Sequence, residues 1–313
     1  MIDSVPPASA EQLISEFRRG EMVLLVLDQS DGGQTGVVAM AAECCEASHV
    51  TFMARQARGL VSLALTEARC EQLNLPPMVD PATSGAVKLS IEASTEIDTG
   101  ISAADRARTV RVAVAPDAKP SDLVQPGHIF PVATLSGGVL IRTGAAEAGV
   151  DLATLAGLTP AAVFAEVLDT HGELADASAL VAFADAHDLR VGRVTDLVDY
   201  RLNHYRTVDL IRSGQITTRH GEFMLSVYQE STQGHVHMAL SKGEFDQETP
   251  TLVRVHTVSS VRDLLAVSSA ERASWSIQDS LSRVGHEGGG VVVLINKQES
   301  DAELLAQVDA VLG

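Results

Sequence analysis

The chain has 313 residues, of which 45% are hydrophobic, 20% are charged and only 4% are aromatic. This length allows one large domain or two ordinary ones, and the scarcity of aromatic side chains predicts a core of Ala, Val and Leu. The formal net charge of −18 excludes nucleic acid and anionic membranes as favourable partners, because both are also negative. A phosphorylated small molecule would need a local basic pocket.

The cysteines and the apolar runs bear on the cellular compartment. Cys44 and Cys45 are adjacent and Cys70 stands apart, which indicates neither a disulfide framework nor a zinc site. Residues 1–10 lack the basic start of a secretory signal, and no apolar run is long enough to cross a bilayer. These features predict a cytoplasmic protein with no membrane partner.

In the N-terminal half, apolar periodicity predicts helices alternating with strands. A helix over residues 9–20 with Ser9 as N-cap comes first, and a buried strand over residues 22–27 follows. A polar, glycine-rich loop then leads to the strand VVAMAAE. The remaining elements expected here are a helix at 48–59, a strand at 60–65, a short helix at 66–73, a strand at 86–93 and a helix at 105–113.

The central stretch, PGHIFPVATLSGGVLIRTGAAE over residues 126–147, carries the most chemistry. Its sequence predicts a turn at Gly137-Gly138 and a strand, GVLIR, that ends at Arg142. An arginine beside a turn of small residues is a good anion clamp, because the guanidinium fork matches phosphate oxygens. The helices expected after it cover residues 151–156, 159–165, 178–187 and 193–206.

Composition changes near Ile216. Beyond it, GEFMLSVYQE and HVHMALSKGEF predict an antiparallel hairpin, and TLVRVHTV and GGGVVVLIN predict two further strands. Helices are expected over residues 272–284 and 301–312. These elements predict a small α+β domain, so the expected division is residues 1–212 and 215–313.

Four stretches together resemble the 3,4-dihydroxy-2-butanone 4-phosphate synthase (DHBP synthase) family of riboflavin biosynthesis. They are LNLPPMV, DTGISAADRA, PGHIFP and GGVLIRTGAAEAGVDLATLAGL, and the resemblance covers residues 23–206. It implies an α/β sandwich that works as a homodimer, with active sites near the subunit interface. The C-terminal part resembles a truncated GTP cyclohydrolase II domain. That family has a zinc-binding Cys where this chain has Ser259, and no Cys follows Cys70, so no GTP cyclohydrolase II activity is expected.

The resemblance also implies a reaction. Family members convert ribulose 5-phosphate through an enediol, a dehydration and a skeletal shift, and release formate, with magnesium held by a Glu and a His. Those two positions are Gly33 and Ala145 here, and glycine and alanine supply no oxygen ligand. Asp28 and Asp31 in the same loop are the candidates for substitute ligands. The expectation is that the chain uses no metal cofactor.

Several polar positions match the family. His128 and Glu166 fall on its catalytic proton-transfer pair, and Arg142 falls on its substrate-binding arginine. The matching residues of the segment that shapes the pocket are Thr99, Ser102, Asp105, Arg106 and Thr109. The structural alternatives remain open: a turn histidine for His128, a pairing of Arg142 with Glu147 or Asp105, and an ion pair and cap for Asp105 and Arg106. For Glu166 a buried partner is expected.

Three functions are compatible with these observations. The main hypothesis is a diverged lyase- or isomerase-like enzyme that acts on a small phosphorylated or polyhydroxylated substrate, such as a sugar phosphate, by metal-independent acid/base chemistry. The second is a non-catalytic regulatory or scaffold paralogue. The third is DHBP synthase activity itself, with substitute metal ligands.

Overall fold

The computed structural model describes residues 7–79, 86–232, 234–246, 248–259, 261, 263, 275–296 and 304–305. The chain divides into two compact units, Met1–Tyr205 and Arg206–Gly313. The boundary expected between residues 212 and 215 lies inside a strand of the second unit, Val208–Thr218. This strand begins before the change in composition near Ile216, which is why the sequence places the boundary later.

A seven-stranded mixed sheet is described in the first unit. Its strands are β1 (Val23–Asp28), β2 (Gln34–Ala41), β3 (Ser62–Thr66), β4 (Ile91–Ala93), β5 (Leu123–Thr134), β6 (Ala161–Glu166) and β7 (Arg190–Arg193). Their order across the sheet is β4-β5-β3-β6-β2-β1-β7. β3 runs parallel to β5, whereas β6 runs antiparallel to both of its neighbours, β3 and β2.

Helices cover both faces of this sheet. They are α1 (Ala10–Arg19), α2 (Ala47–Phe52), α3 (Glu67–Gln72), α4 (Ala103–Val114), α5 (Ala145–Leu155), α6 (Ala177–His187) and α7 (Val194–His204). One buried cluster joins α2, α4 and α6 to strand residues such as Leu63, and the other joins α1, α5 and α7 to its neighbour Ala64. This alternation is the two-residue period of a strand buried on both faces, and the predicted α/β sandwich is confirmed.

Two elements expected in the central region are wrong. Residues 159–165, expected as a helix, belong mostly to β6, because AAVFAE hydrogen-bonds to β2 on one side and β3 on the other. This central position overrides the helix propensity of its alanines. The GVLIR stretch begins with a 3₁₀ turn, Gly138–Leu140, because Gly137 and Gly138 have φ values of 97° and 60°. A single helix, α5, follows it.

In the described part of the second unit, a helix packs on a five-stranded sheet. The strands are β8 (Val208–Thr218), β9 (Gly221–Glu230), β10 (Val236–Lys242), β11 (Val253–Thr257) and β12 (Gly290–Ile295), and the helix is α8 (Ile277–Glu287). The predicted hairpin is the antiparallel pair β9–β10, whereas β8 is not predicted. The helix expected over 301–312 lies outside the described residues except for 304–305. Within the described ranges, no helix is both long and apolar enough to span a bilayer.

Candidate active site

Three strands of the first sheet carry polar side chains at the same end of the sheet, where β3 begins and β6 ends. Ser62 of β3 pairs with Phe130 of β5 and with Phe164 of β6. His128 precedes Phe130 by two residues and Glu166 follows Phe164 by two, so both lie at this same end of the strands. Because side chains two residues apart share a face, Ser62, His128 and Glu166 all lie on the face that α5 covers. The backbones of β5 and β6 are two strand spacings, ~10 Å, apart.

His128 lies within β5 and not in the turn between prolines that the sequence indicates. Its Nδ1 contacts Oε1 of Glu92 on the neighbouring strand β4. The Glu92 side chain is 16% exposed, whereas the His128 side chain is 42% exposed. A carboxylate that holds one ring nitrogen fixes the orientation of an imidazole and leaves the other nitrogen available. Glu92 is therefore a positioning residue for His128.

Glu166 ends β6, opposite Val37 of β2. Gly59 packs so closely on the Glu166 backbone that a Cβ atom at residue 59 would overlap it. The Glu166 side chain is half-buried, and no hydrogen bond or ion pair joins its carboxylate to any residue in the described ranges. The buried partner expected for it is absent from those ranges. A half-buried carboxylate without a partner is costly to maintain and is available to exchange a proton.

The segment before and within the first turns of α4 is held by its own hydrogen bonds. Ser102 caps α4, since its Oγ accepts from Asp105 N at 3.0 Å. Oδ2 of Asp105 accepts from Gly100 N at 3.1 Å. Thr109 is fully buried, and its hydroxyl donates to Asp105 O at 2.9 Å. Gly100 has a φ of 75° and lies against the Glu92 carboxylate, so this segment supports the Glu92–His128 pair.

The other two residues of that segment differ in exposure. Thr99 is exposed, whereas Arg106 is half-buried. Burial lowers the pKa of the Arg106 guanidinium, and its Nε has no hydrogen-bond partner in the described structure. The described residues include no ion pair between Asp105 and Arg106, so the pairing considered from the sequence is not formed. Asp105 instead accepts a hydrogen bond from Gly100 N in the loop before α4.

Arg142 is anchored by Glu147. Nε of Arg142 donates to Oε1 of Glu147 at 2.8 Å, Nη2 contacts the same oxygen, and Nη2 also donates to Ala133 O at 3.2 Å. The Glu147 side chain is 1% exposed, whereas that of Arg142 is 39% exposed. Of the two pairings considered from the sequence, the structure contains the one with Glu147. The fork is thus held at two nitrogens, while Nη1 makes no hydrogen bond to any residue that the structure describes.

The N-terminus of α5 lies beside this arginine. Its N-cap is Gly144, and no side chain caps the helix. The first N–H groups of a helix have no partner within it and carry a partial positive charge. Arg142 lies two residues before the cap, so a cation and unsatisfied N–H groups occur together. This combination suits a phosphate group.

Within one chain, these two regions are separate. Arg142 bonds to Ala133 near the end of β5, and Glu147 accepts from Leu135 N just beyond it. His128 comes five residues before Ala133 in the same strand, which places their backbones about 16 Å apart. The structure therefore brings His128 together with Glu166 but does not bring Arg142 to them. A ligand shared by all three would need a second copy of the chain.

A lock on the Gly137-Gly138 turn was not found from the sequence. Asp151 of α5 accepts from Val139 N at 2.9 Å and from Arg201 Nη1 at 2.7 Å. Arg201 also donates to Gly137 O at 2.8 Å. Burial raises the pKa of the Asp151 carboxyl, against the opposing effects of the Val139 N–H and Arg201. This network holds the segment that leads to Arg142.

The tip of the β1–β2 hairpin, residues 28–35, is closed on itself. Oδ1 of Asp28 accepts from Gln34 Nε2 at 2.8 Å, and Oδ1 of Asp31 accepts from Gly33 N at 2.9 Å. The Gln29 amide bonds across the tip, from Nε2 to Thr35 Oγ1, at 2.9 Å. The carboxylates considered as substitute metal ligands are thus hydrogen-bonded within their own turn.

In the second unit, His256 is a buried residue of β11. Its Nε2 lies 3.0 Å from both carboxylate oxygens of Asp263, and Ser259 N donates to the same carboxylate at 2.8 Å. His256 is thus a strand residue that is paired with a carboxylate of its own unit.

Comparisons with known proteins cover both units. Residues 11–200 match the family described as 3,4-dihydroxy-2-butanone 4-phosphate synthase. Residues 210–312 match the family described as GTP cyclohydrolase II. The resemblances that the sequence motifs indicate for the two parts of the chain are confirmed.

Similar proteins include a 3,4-dihydroxy-2-butanone 4-phosphate synthase of Pseudomonas syringae pv. tomato, 47% identical over 95% of this chain and 81% of that protein. The riboflavin biosynthesis protein RibBA of Aquifex aeolicus is 39% identical over 92% of this chain and 71% of that protein. Among solved structures, RibBX, a two-domain 3,4-dihydroxy-2-butanone 4-phosphate synthase from A. baumannii, has a TM-score of 0.77 and 38% identity, covering 97% of this chain and 88% of its own.

A magnesium ion is the group that the resemblance implies. A similar crystal structure, of a 3,4-dihydroxy-2-butanone 4-phosphate synthase with two magnesium ions, has a TM-score of 0.59 and 33% identity over 63% of this chain and 98% of its own. Gly33 and Ala145 have no side-chain donor for such an ion. The described ranges contain no group of three or more His, Cys, Asp or Glu side chains that could hold a metal. The side chains at these two positions therefore do not fit magnesium.

Proposed function

Because the chain belongs to the 3,4-dihydroxy-2-butanone 4-phosphate synthase family of riboflavin biosynthesis, we propose that it binds that family's sugar phosphate, ribulose 5-phosphate. We further propose that its retained side chains perform the proton transfer that forms an enediol. The observation that carries the proposal is the uncapped N-terminus of α5 beside Arg142, whose guanidinium is held by a buried carboxylate. A helix N-terminus and an adjacent fork together form a phosphate site.

Proton transfer is assigned to His128 and Glu166, which lie at the same end of the strands. The Glu166 carboxylate, which has no partner among the described residues, takes a proton from the carbon beside the substrate carbonyl. His128, oriented by Glu92, donates a proton to the carbonyl oxygen. The charge of the enediolate is thereby neutralised by a side chain of this chain, as general acid catalysis requires.

We propose that two copies of the chain, as a homodimer, together form the complete site. The ~16 Å separation along β5 between the His128 and Arg142 regions exceeds what one small sugar phosphate can bridge. Two copies related by a two-fold axis would each offer both regions, so that Arg142 of one copy could serve His128 of the other. Light scattering should therefore give twice the mass of the chain. A monomer that still binds ribulose 5-phosphate would contradict the shared site.

Binding is tested by the melting temperature of the protein with inorganic phosphate and with ribulose 5-phosphate. Both should raise it, and Arg142→Lys should weaken the effect, because lysine keeps the charge but loses the fork. Arg212→Lys, on exposed β8 of the second unit, is the matched control and should bind normally. Failure of both compounds to shift melting would refute the proposal.

One NMR experiment in D₂O tests the chemistry. Enediol formation should exchange deuterium into ribulose 5-phosphate, and Glu166→Gln should abolish the exchange. A second candidate function, the complete conversion to 3,4-dihydroxy-2-butanone 4-phosphate, is favoured by the 47% identity to a named synthase over 95% of the chain. It would appear as a formate signal in the same spectrum. Binding with neither exchange nor formate would indicate a non-catalytic paralogue.

A further inference from the structure

The hairpin tip between β1 and β2 contains the only carboxylates considered as replacements for the family's metal ligands. Its two aspartates, Asp28 and Asp31, already accept hydrogen bonds from Gln34 and from the Gly33 N–H. Thr35 Oγ1 accepts from Gln29. One oxygen of each carboxylate and the Thr35 hydroxyl oxygen thus help to hold the turn closed.

The two positions that correspond to the family's metal ligands are Gly33 and Ala145. Gly33 lies at the tip, on the edge of the sheet where Glu166 ends β6. Ala145 opens α5, whose first turn is fixed through Glu147 to Leu135, beyond the other end of the strands. Within one chain the two positions therefore lie at opposite ends of the strands, so a site containing both would span two copies, as the proposed phosphate site does. Neither position supplies a side-chain donor in either copy.

Magnesium needs about six oxygen ligands in near-octahedral geometry and usually takes one or two carboxylates from the protein. At the end of the sheet where Glu166 lies, Glu92 is engaged with His128, and Asp28 and Asp31 each accept a hydrogen bond within their own turn. Glu166 is then a lone carboxylate, because Gly33 supplies no side-chain oxygen beside it. One such group holds a divalent cation only weakly.

We infer that this chain binds its phosphorylated ligand without a resident divalent cation, the turn at residues 28–35 having become a self-closed structure in place of a metal-binding loop. This inference rests on the proposed phosphate site. It assigns the neutralisation of ligand charge to Arg142 and to the N–H groups of α5.

The test is the binding of Mn²⁺, followed by the loss of the EPR signal of the free ion. Gly33→Glu is the positive comparison, because residue 33 has no left-handed φ. A Cβ there would lie 3.1 Å from Asp31 Oδ1, a tight contact that the exposed Asp31 side chain can relieve by a small shift. Glu at this position would join Asp31 and Asp28 in an acidic tip. The original chain should bind Mn²⁺ at least about tenfold more weakly than this variant. If the original chain itself depletes the free-ion signal at stoichiometric Mn²⁺, the inference is overturned, whatever the variant does.

A second measurement separates this inference from the proposed function. The affinity for inorganic phosphate should be the same in EDTA as in excess magnesium. Phosphate binding that requires magnesium would overturn the inference and leave the proposed function standing. If phosphate binds under neither condition, the proposed function fails, and the Mn²⁺ measurement alone decides whether the chain holds a cation.

Discussion

The Arg142–Glu147 pair joins a half-exposed cation to a carboxylate that is 1% exposed. This asymmetry decides which member is harder to remove. Without Arg142, Glu147 would remain buried with only the Leu135 N–H at 3.3 Å, whereas Arg142 without its partner could reach water. Removing one member of a buried pair is costly when it leaves a charge uncompensated.

We expect Arg142→Ala to lower the free energy of unfolding by about 3 kcal/mol, and Glu147→Gln by about 1 kcal/mol, since glutamine keeps an acceptor for Leu135. Urea titrations of both variants give the comparison. A larger loss for Glu147→Gln than for Arg142→Ala would contradict this account of the pair. The expected loss is also why Arg142→Lys, and not alanine, is the variant chosen for ligand binding.

Two buried cysteines predict how stability depends on pH. Burial raises the pKa of the Cys45 thiol and of the Cys70 thiol from 9.0 to about 12. The folded state therefore binds these protons more tightly than the unfolded state does. The stability they contribute is complete below pH 9 and is lost as the pH rises from about 9 toward 12.

In that pH range, each thiol should lower the free energy of unfolding by up to about 1.4 kcal/mol per pH unit. Urea titrations at several pH values from neutral upward would show this slope. Cys45→Ala and Cys70→Ala together should flatten it, whereas Cys44→Ala should change it less because Cys44 is only half-buried. An unchanged slope in the double variant would assign the pH effect to other groups.

At the scale of elements, the turn before Arg142 depends on Gly138, and Gly157 after α5 provides a comparison. Gly138 has a φ of 60°, and a Cβ there would collide with the Asp151 carboxylate. Gly157, with a φ of 78°, has no atom within 4 Å of such a Cβ. The two positions share the backbone strain of a left-handed conformation but differ in the space available.

Gly157→Ala should therefore cost about 1–2 kcal/mol, the strain alone, while Gly138→Ala should cost about 3 kcal/mol or more because it also breaks the Asp151 lock. Thermal unfolding of the two variants measures the difference. If both lost the same stability, the lock between Asp151 and the turn would have no energetic role.

The elements that the sequence predicted correctly are those with local signals. α1 is an example: Ser9 and Gln12 form a capping box, and Leu13 and Phe17 recur at helical spacing. The strand β6 carries no such signal, because AAVFAE is rich in helix formers and only its place between β2 and β3 makes it a strand.

The candidate site shows the same limit. The resemblance indicated that His128, Glu166 and Arg142 belong to one site. Strand order and register place only the first two at the same end of the strands. Glu92, the residue that orients His128, was missed. Its signal was a lone carboxylate in the apolar strand LSIEA, which is meaningful only once β4 is known to pair with β5.

At the scale of the whole molecule, the two units differ in the size of their described cores. The buried cluster of the second unit comprises Phe223, Leu240, Leu281, Val284 and Val292. Each of the two buried clusters in the first unit is several times larger. Because stability rises with the apolar area that folding buries, the second unit should unfold at the lower denaturant concentration.

The sequence supplies a probe for each unit. All three cysteines, Cys44, Cys45 and Cys70, lie in the first unit, and the single tryptophan, Trp275, lies in the second. In urea, the change in tryptophan fluorescence should precede the exposure of Cys45 and Cys70 to a thiol reagent.

Two matched substitutions show which unit gives rise to each transition. Ser9 caps α1 in the first unit and Ser276 caps α8 in the second, each in a capping box. Ser276→Ala should move the fluorescence transition alone and Ser9→Ala the thiol transition alone, each by about 1 kcal/mol. If either substitution moved both transitions equally, the units would unfold as one cooperative body. The smaller core of the second unit would then not set its stability, because its unfolding would be coupled to that of the first.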